Sequence, residues 1–191
     1  MAQTNRREFI GRMAGLGGAW LGKPIATLLA AHEHARQAAR ATPGVFKVFT
    51  PEEAADVAAM AAEIIPTDAS PGATEAHVVY FIDHILSTTD KEDRPVYVEG
   101  LPILREKTKE LFAQASSFAS LASEDRVRVL KAIEDTHFFG TVRGMTIAGF
   151  LSDPQYHGNF GGVGWKHIGF TPAFAWQPPF GDYDADGTAN K

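Results

Sequence analysis

The residues best suited to chemistry gather towards the C-terminal end. The stretch Asp-Pro-Gln-Tyr-His-Gly-Asn-Phe-Gly-Gly-Val-Gly-Trp-Lys-His-Ile-Gly-Phe runs from Asp153 to Phe170 and sets four glycines (Gly158, Gly161, Gly162, Gly164) among aromatic rings and two histidines. Such a loop could cradle a phosphate, hold a metal or present anchors to another protein. A dinucleotide loop needs a strand, then G-x-G-x-x-G, then a helix whose N-terminus meets the pyrophosphate. Here Gly158–Gly164 comes after a helical pattern and Asp-Pro, with the wrong glycine spacing and no clear helix start beyond it. The earlier Gly-Arg-Met-Ala-Gly-Leu-Gly-Gly (residues 11–18) fails in the same way.

Metal and acid–base chemistry have weak footholds. His32 and His34 form an H-E-H, and His77 and His84 are seven apart on one helical face beside Asp83. His137, His157 and His167 are scattered, and no H-E-x-x-H spacing occurs. The expectation is no catalytic, cofactor or metal residue on this chain. Glu134 and Asp135 near His137 suit a helix-end electrostatic role, because no nucleophile or oxyanion partner accompanies them. With no cysteine, disulfides, thiolate metal sites and iron–sulfur clusters are excluded. A net charge of −5 offers no basic stripe for nucleic acid.

The elements that must position these residues can be read in order. Arg6 and Arg7 precede Phe9 and Ile10, and a weakly apolar, glycine-rich run comes next, which reads as a twin-arginine export signal. Lys23-Pro24 breaks that run short of the ~18–20 residues that a membrane span needs. Residues 1–41 are therefore expected to be signal and linker, with cleavage between Ala30 and Ala41 or retention of the segment. The periplasm is the expected location.

Residues 42–191 are expected to form a single all-α domain of about five helices with a long irregular Gly/Pro/aromatic-rich C-terminal segment. Thr50, Pro51 and Glu53 form a capping box ahead of Val57, Met60, Ala61 and Ile64, and Pro66 ends that helix. A turn at 66–73 precedes a second helix over 74–89 striped by Val78, Phe81, Ile82 and Ile85, with a strand possible for part of it. Residues 90–100 read as a charged excursion. A third helix spans about 101–119 with Leu104, Thr108, Leu111, Ala115 and Phe118 on one face, a fourth starts at Ser123, and a fifth spans 141–152.

Eight of the chain's aromatic residues lie from Tyr156 onward, and Pro172, Pro178 and Pro179 keep that segment extended. So much aromatic surface must pack on its own helices or on a partner. The partner-facing residues expected from residue type are Tyr156, Asn159, Phe160, Trp165, Phe170, Phe174 and Trp176. An alternative is a free-standing periplasmic protein that binds a metal or stacks a sugar on Trp165 and Trp176.

Two blocks carry a resemblance. Ile-Ile-Pro-Thr-Asp-Ala-Ser-Pro-Gly-Ala-Thr-Glu-Ala-His-Val-Val-Tyr-Phe-Ile-Asp (64–83) resembles the first signature of the gluconate 2-dehydrogenase subunit 3 family, and Phe138–Phe170 resembles its second. The family's usual pattern has glycine before the Gly-Asn pair, where this chain has His157. The resemblance implies a noncatalytic small subunit without flavin or haem of its own. Its partner would be a large FAD-dependent dehydrogenase of the glucose–methanol–choline type, acting on a sugar, sugar acid or glycoside. A cytochrome c subunit carrying haem c would be a possible third member, and any membrane contact would run through partners. The small subunit would support folding, stability and co-export of the large one.

Overall fold

A computed structural model describes residues 45–173. Arg6, Arg7, Phe9, Ile10, Phe174 and Trp176 lie outside the described residues. Among the described residues the architecture is all-helical, with six α-helices and no strand. They are α1 (Pro51–Ile64), α2 (Val78–Ser87), α3 (Arg94–Leu111), α4 (Ser123–Lys131), α5 (His137–Leu151) and the short α6 (Val163–His167), with single 3-10 turns at Lys91–Asp93, Pro154–Tyr156 and Phe160–Gly162.

α1 begins as its sequence dictates. The Thr50 hydroxyl accepts from the Glu53 N–H at 3.2 Å, the Glu53 carboxylate accepts from the Thr50 N–H at 3.0 Å, and Pro51 takes the first helical position. Its inner face buries Val57, Met60 and Ala61. Each large apolar side chain so buried contributes about 1.5–3 kcal/mol. α2 is helical from Val78, so the strand alternative is corrected: Val78, Phe81, Ile82 and Leu86 recur at helical spacing and all are buried.

Three polar ties fix the helices to one another. The buried Asp56 of α1 accepts from the Ala119 N–H at 3.1 Å and pairs with Arg105 of α3 at 3.4 Å. Glu63 of α1 lies 2.9 Å from Arg126 of α4 and accepts from the Ser123 hydroxyl at 2.7 Å. The buried Asp83 of α2 accepts three backbone N–H groups, from Lys47 (2.9 Å), Val48 (2.8 Å) and Phe49 (3.1 Å). A carboxylate with three such donors holds the entering segment across α2.

Several boundaries differ from the sequence reading. α3 starts at Arg94, not 101, so most of the supposed charged excursion is helix. Pro95 occupies the first turn, where its missing N–H costs nothing. Pro102 stands on the exposed side, where water can satisfy the Val98 carbonyl that it leaves without a donor. α3 also ends at Leu111 rather than 119. Phe118 is fully buried, but from the loop between α3 and α4, and Leu111 is exposed. α4 stops at Lys131. Thr136 then caps α5 by accepting from the Phe139 N–H at 3.2 Å, so α5 starts at His137 rather than 141.

α5 packs on α1, α2, α3 and α6 and forms the centre of the bundle. Its approach to α3 depends on Gly100. A methyl group built there would overlap the Phe138 ring, which also meets Tyr97 edge-on at 5.8 Å. Helix propensity alone would favour alanine at position 100 by about 1 kcal/mol. Overpacking of about 1–3 kcal/mol opposes it. Gly100→Ala should therefore lower the denaturant midpoint of the chain, and Phe138→Leu in the same chain should restore part of the loss. A Gly100→Ala chain more stable than wild type would show that Phe138 does not occupy this notch.

Candidate functional site

The segment from Asp153 to Phe170 folds against the C-terminal end of α5 and the N-terminal end of α2. Asp153 caps the first 3-10 turn by accepting from the Gln155 N–H at 3.0 Å. The backbone is then left-handed at His157 (φ 69°) and Asn159 (φ 45°), and again, after Phe160, at Gly161 and Gly162 (φ 66° and 69°), where residues without a Cβ adopt it at no steric cost. Gly162 leads directly into α6, so a short helix does come after the glycine stretch, contrary to the sequence expectation. Its five residues were hidden by the glycines on both sides.

Close packing rather than ligand approach explains two of the loop's glycines. A Cβ on Gly158 would run into the Gly149 carbonyl, the Ser152 hydroxyl and Phe81, and one on Gly164 would meet the Phe150 carbonyl. Asn159 is fully buried between them. Its amide donates to the Ser152 carbonyl at 2.9 Å, and its oxygen accepts from the Gly164 N–H at 2.8 Å. It thus clamps the loop to the end of α5 and shapes whatever surface the loop presents.

The aromatic residues divide accordingly. Phe160 stacks on His77 with ring centroids 4.2 Å apart, and its N–H donates to the Ala76 carbonyl at 3.1 Å. Trp165 is half-buried, donates from its indole to the Leu151 carbonyl at 2.8 Å and meets Phe170 edge-on at 5.3 Å. Tyr156 is 44% exposed, Phe170 40% and Ile168, which residue-type reasoning passes over, 57%. These three present apolar surface around a rigid turn.

The first motif block is structural in the same sense. Glu75 accepts from the Thr67 hydroxyl (2.7 Å) and the Gly72 N–H (2.8 Å), and Asp68 accepts from the Ser70 N–H and hydroxyl. These bonds hold the carboxyls of both residues below their ordinary range. His77 stands in left-handed backbone just before α2, and the Ala76 carbonyl beside it accepts the Phe160 N–H, so the two motif blocks meet here.

The histidines sort differently from the sequence pairing. His84 meets His157 of the loop, edge to face at 4.7 Å, and not His77. No group of three His, Cys, Asp or Glu among the described residues is placed to hold a metal. Glu134 and Asp135 are exposed before α5, with no ion pair to His137 among the described residues. Among the described residues there are open grooves of about 500 Å³, one lined by Glu63, Val127, Glu134 and Arg143 between α1, α4 and α5.

These features define an all-helical domain in which the polar residues of two separated motifs bind one rigid glycine–aromatic loop to a helix bundle. The chain belongs to the gluconate 2-dehydrogenase subunit 3 family, whose pattern matches residues 51–172. It is an accessory subunit of a sugar dehydrogenase complex that includes a catalytic subunit. No curated protein and no solved structure gives a significant match.

Partly buried and in contact, His84 and His157 are expected to make the loop acid-sensitive. Partial burial lowers the pKa of both rings. Repulsion from His157 and Lys47 adds to the shift at His84, where Asp83 opposes it, and repulsion from Lys47 adds to the shift at His157. His77 is lowered by burial as well. A depressed folded-state pKa means that stability is complete above the unfolded value of 6.5 and is lost as pH falls through the folded value. Thermal midpoints should therefore drop as pH falls below about 6.5. His157→Gly should fold, because position 157 has positive φ, and should reduce that drop. An unchanged pH dependence in His157→Gly would exclude the pair as its source.

Proposed function

We propose that this chain is the noncatalytic small subunit of a periplasmic, FAD-dependent sugar, sugar-acid or glycoside dehydrogenase of the glucose–methanol–choline type. In this reading it stabilises the folded catalytic subunit and lends it an export signal through Arg6 and Arg7. The flavin sits on the partner, and a cytochrome c subunit carrying haem c receives the electrons where one is present.

The observation that carries this reading is the loop surface of Tyr156, Ile168 and Phe170. Its apolar residues stand exposed on backbone fixed by Asn159 and Trp165. Rigid exposed aromatics suit an interface, since little side-chain entropy is lost when they are covered. The twin-arginine pair supports the location, because that route carries proteins already folded and a cofactor-loaded partner gives a reason to use it. No helix among the described residues is long and apolar enough to cross a membrane.

The direct test is purification of the tagged chain from its own operon context. A second, larger chain with flavin absorbance should come with it. Tyr156→Ala and Phe170→Ala should each weaken that association by about 1–3 kcal/mol, or roughly 5- to 150-fold in Kd. A folded chain that comes down alone and colourless would overturn the proposal. Wild-type affinity in both variants would move the interface elsewhere on the chain.

A further inference from the structure

Basic side chains from three separate segments meet at α2. His84 lies on α2 itself, and His157 reaches it from the loop, edge to face at 4.7 Å. Lys47 comes from the entering segment, where its N–H is held 2.9 Å from the carboxylate of Asp83, the neighbour of His84. Its charge acts on both rings and disfavours protonation of each. Tyr156 stands at the edge of the cluster, its ring 6.5 Å from that of His84 and 44% exposed.

The acids nearby do not answer this charge. Asp83 is the carboxylate that acts on His84, and it is buried with its two oxygens already accepting the N–H groups of Lys47, Val48 and Phe49. Asp153 caps the turn that carries Tyr156, by accepting from the Gln155 N–H. Tyr80, also on α2, stacks on Phe46 and meets His77, so it belongs to a separate group of rings. Among the described residues no ion pair is made by Lys47, His84 or His157.

Two imidazoles and an ammonium that converge without a counter-ion suit an oxyanion, which each can meet with a charge-assisted hydrogen bond. A metal ion suits the place less well. Lys47 repels a cation, and two histidines fill only half of a tetrahedral coordination shell. Exposure indicates the source of the anion. Lys47 is exposed and both histidines are half-buried. A free anion here keeps water on one side, and exposed ion pairs contribute little. A carboxylate carried on a protein surface that also covers Tyr156 shuts that water out, and its attraction to the rings strengthens.

We propose that Lys47, His84 and His157 form a proton-linked oxyanion site, filled in the assembled complex by a carboxylate side chain of the catalytic subunit. The occupant rests on the accessory-subunit reading; the anion chemistry of the site does not. The free rings titrate below 6.5, and a carboxylate between them and Lys47 raises that value. Between the free and bound values, binding takes up protons, so affinity rises as pH falls. The isolated chain loses stability over the same range, because there the like charges face one another with no anion among them.

Two measurements test this. In the full-length chain, the His84 and His157 pKa values read from their ring protons by NMR should be higher in sodium acetate than in sodium chloride of equal ionic strength. In the co-purified complex, the Kd read by dilution should be on the order of fivefold lower at about pH 6 than at about pH 8. His84→Gln combined with His157→Asn should abolish that difference, and asparagine accepts the left-handed backbone at 157. Lys47→Glu should weaken association at both pH values. Rings that ignore acetate, or that take up Zn²⁺ in its place, would overturn the proposal. So would a complex that loosens towards pH 6, a pH dependence that survives in the double variant, or wild-type affinity in Lys47→Glu. If no second chain co-purifies, the accessory-subunit reading fails and the partner's carboxylate with it, while the acetate response still decides the anion site.

Discussion

The close approach that glycine permits at three places around α5 governs this structure. Gly100 admits the Phe138 ring, Gly149 and Gly158 enclose Phe81, and Gly164 lies on the Phe150 carbonyl. Side chains at these positions would push α3, α2 or the C-terminal loop off the central helix. Protein interiors are packed densely enough that a single methyl group is felt. The bundle and the loop are thus parts of one packing problem, and the loop keeps its shape because α5 leaves no other place for it.

Buried polar groups then choose one arrangement among those that apolar packing would tolerate. The buried Asp56, Asp83 and Asn159 and the half-buried Glu63 each accept from or donate to groups distant in sequence or across a turn. Breaking one leaves a partly buried donor without an acceptor, which costs more than the bond contributes when made. Tyr97 is one exception. Its ring fills the space between Phe49 and Phe138, its hydroxyl has no partner among the described residues, and burial raises its pKa well above the ordinary value.

This arrangement explains how an accessory subunit can offer a defined surface without a large one. Tyr156, Ile168 and Phe170 project from a turn whose ends are tied by Asn159 and Trp165, so in the proposed function they would meet a partner already in place. Preorganisation of this kind raises affinity by reducing what must be ordered on binding. His157, in left-handed backbone against His84, is where the surface is strained, and partial burial lowers its pKa.

Local chemistry is legible in the sequence. The capping box at Thr50–Glu53, the apolar stripe of α2, the absence of cysteine and the two motif blocks all rest on neighbouring residues or on spacing within one helix. Where local signals conflict, the sequence misleads. Pro95, Gly100 and Pro102 resemble loop punctuation, yet one starts a helix, one makes room for Phe138 and one faces water. Gly162 conceals the start of α6 for the same reason. The tasks of the motif's acids and amides are decided only in three dimensions. Asp83 takes its donors from 34 to 36 residues away, and Phe160 finds Ala76 across the whole of α2 to α5. Sequence spacing sets which residues share a helix face, but contact between faces is set by how closely the helices can approach, and here that distance depends on side chains that are absent.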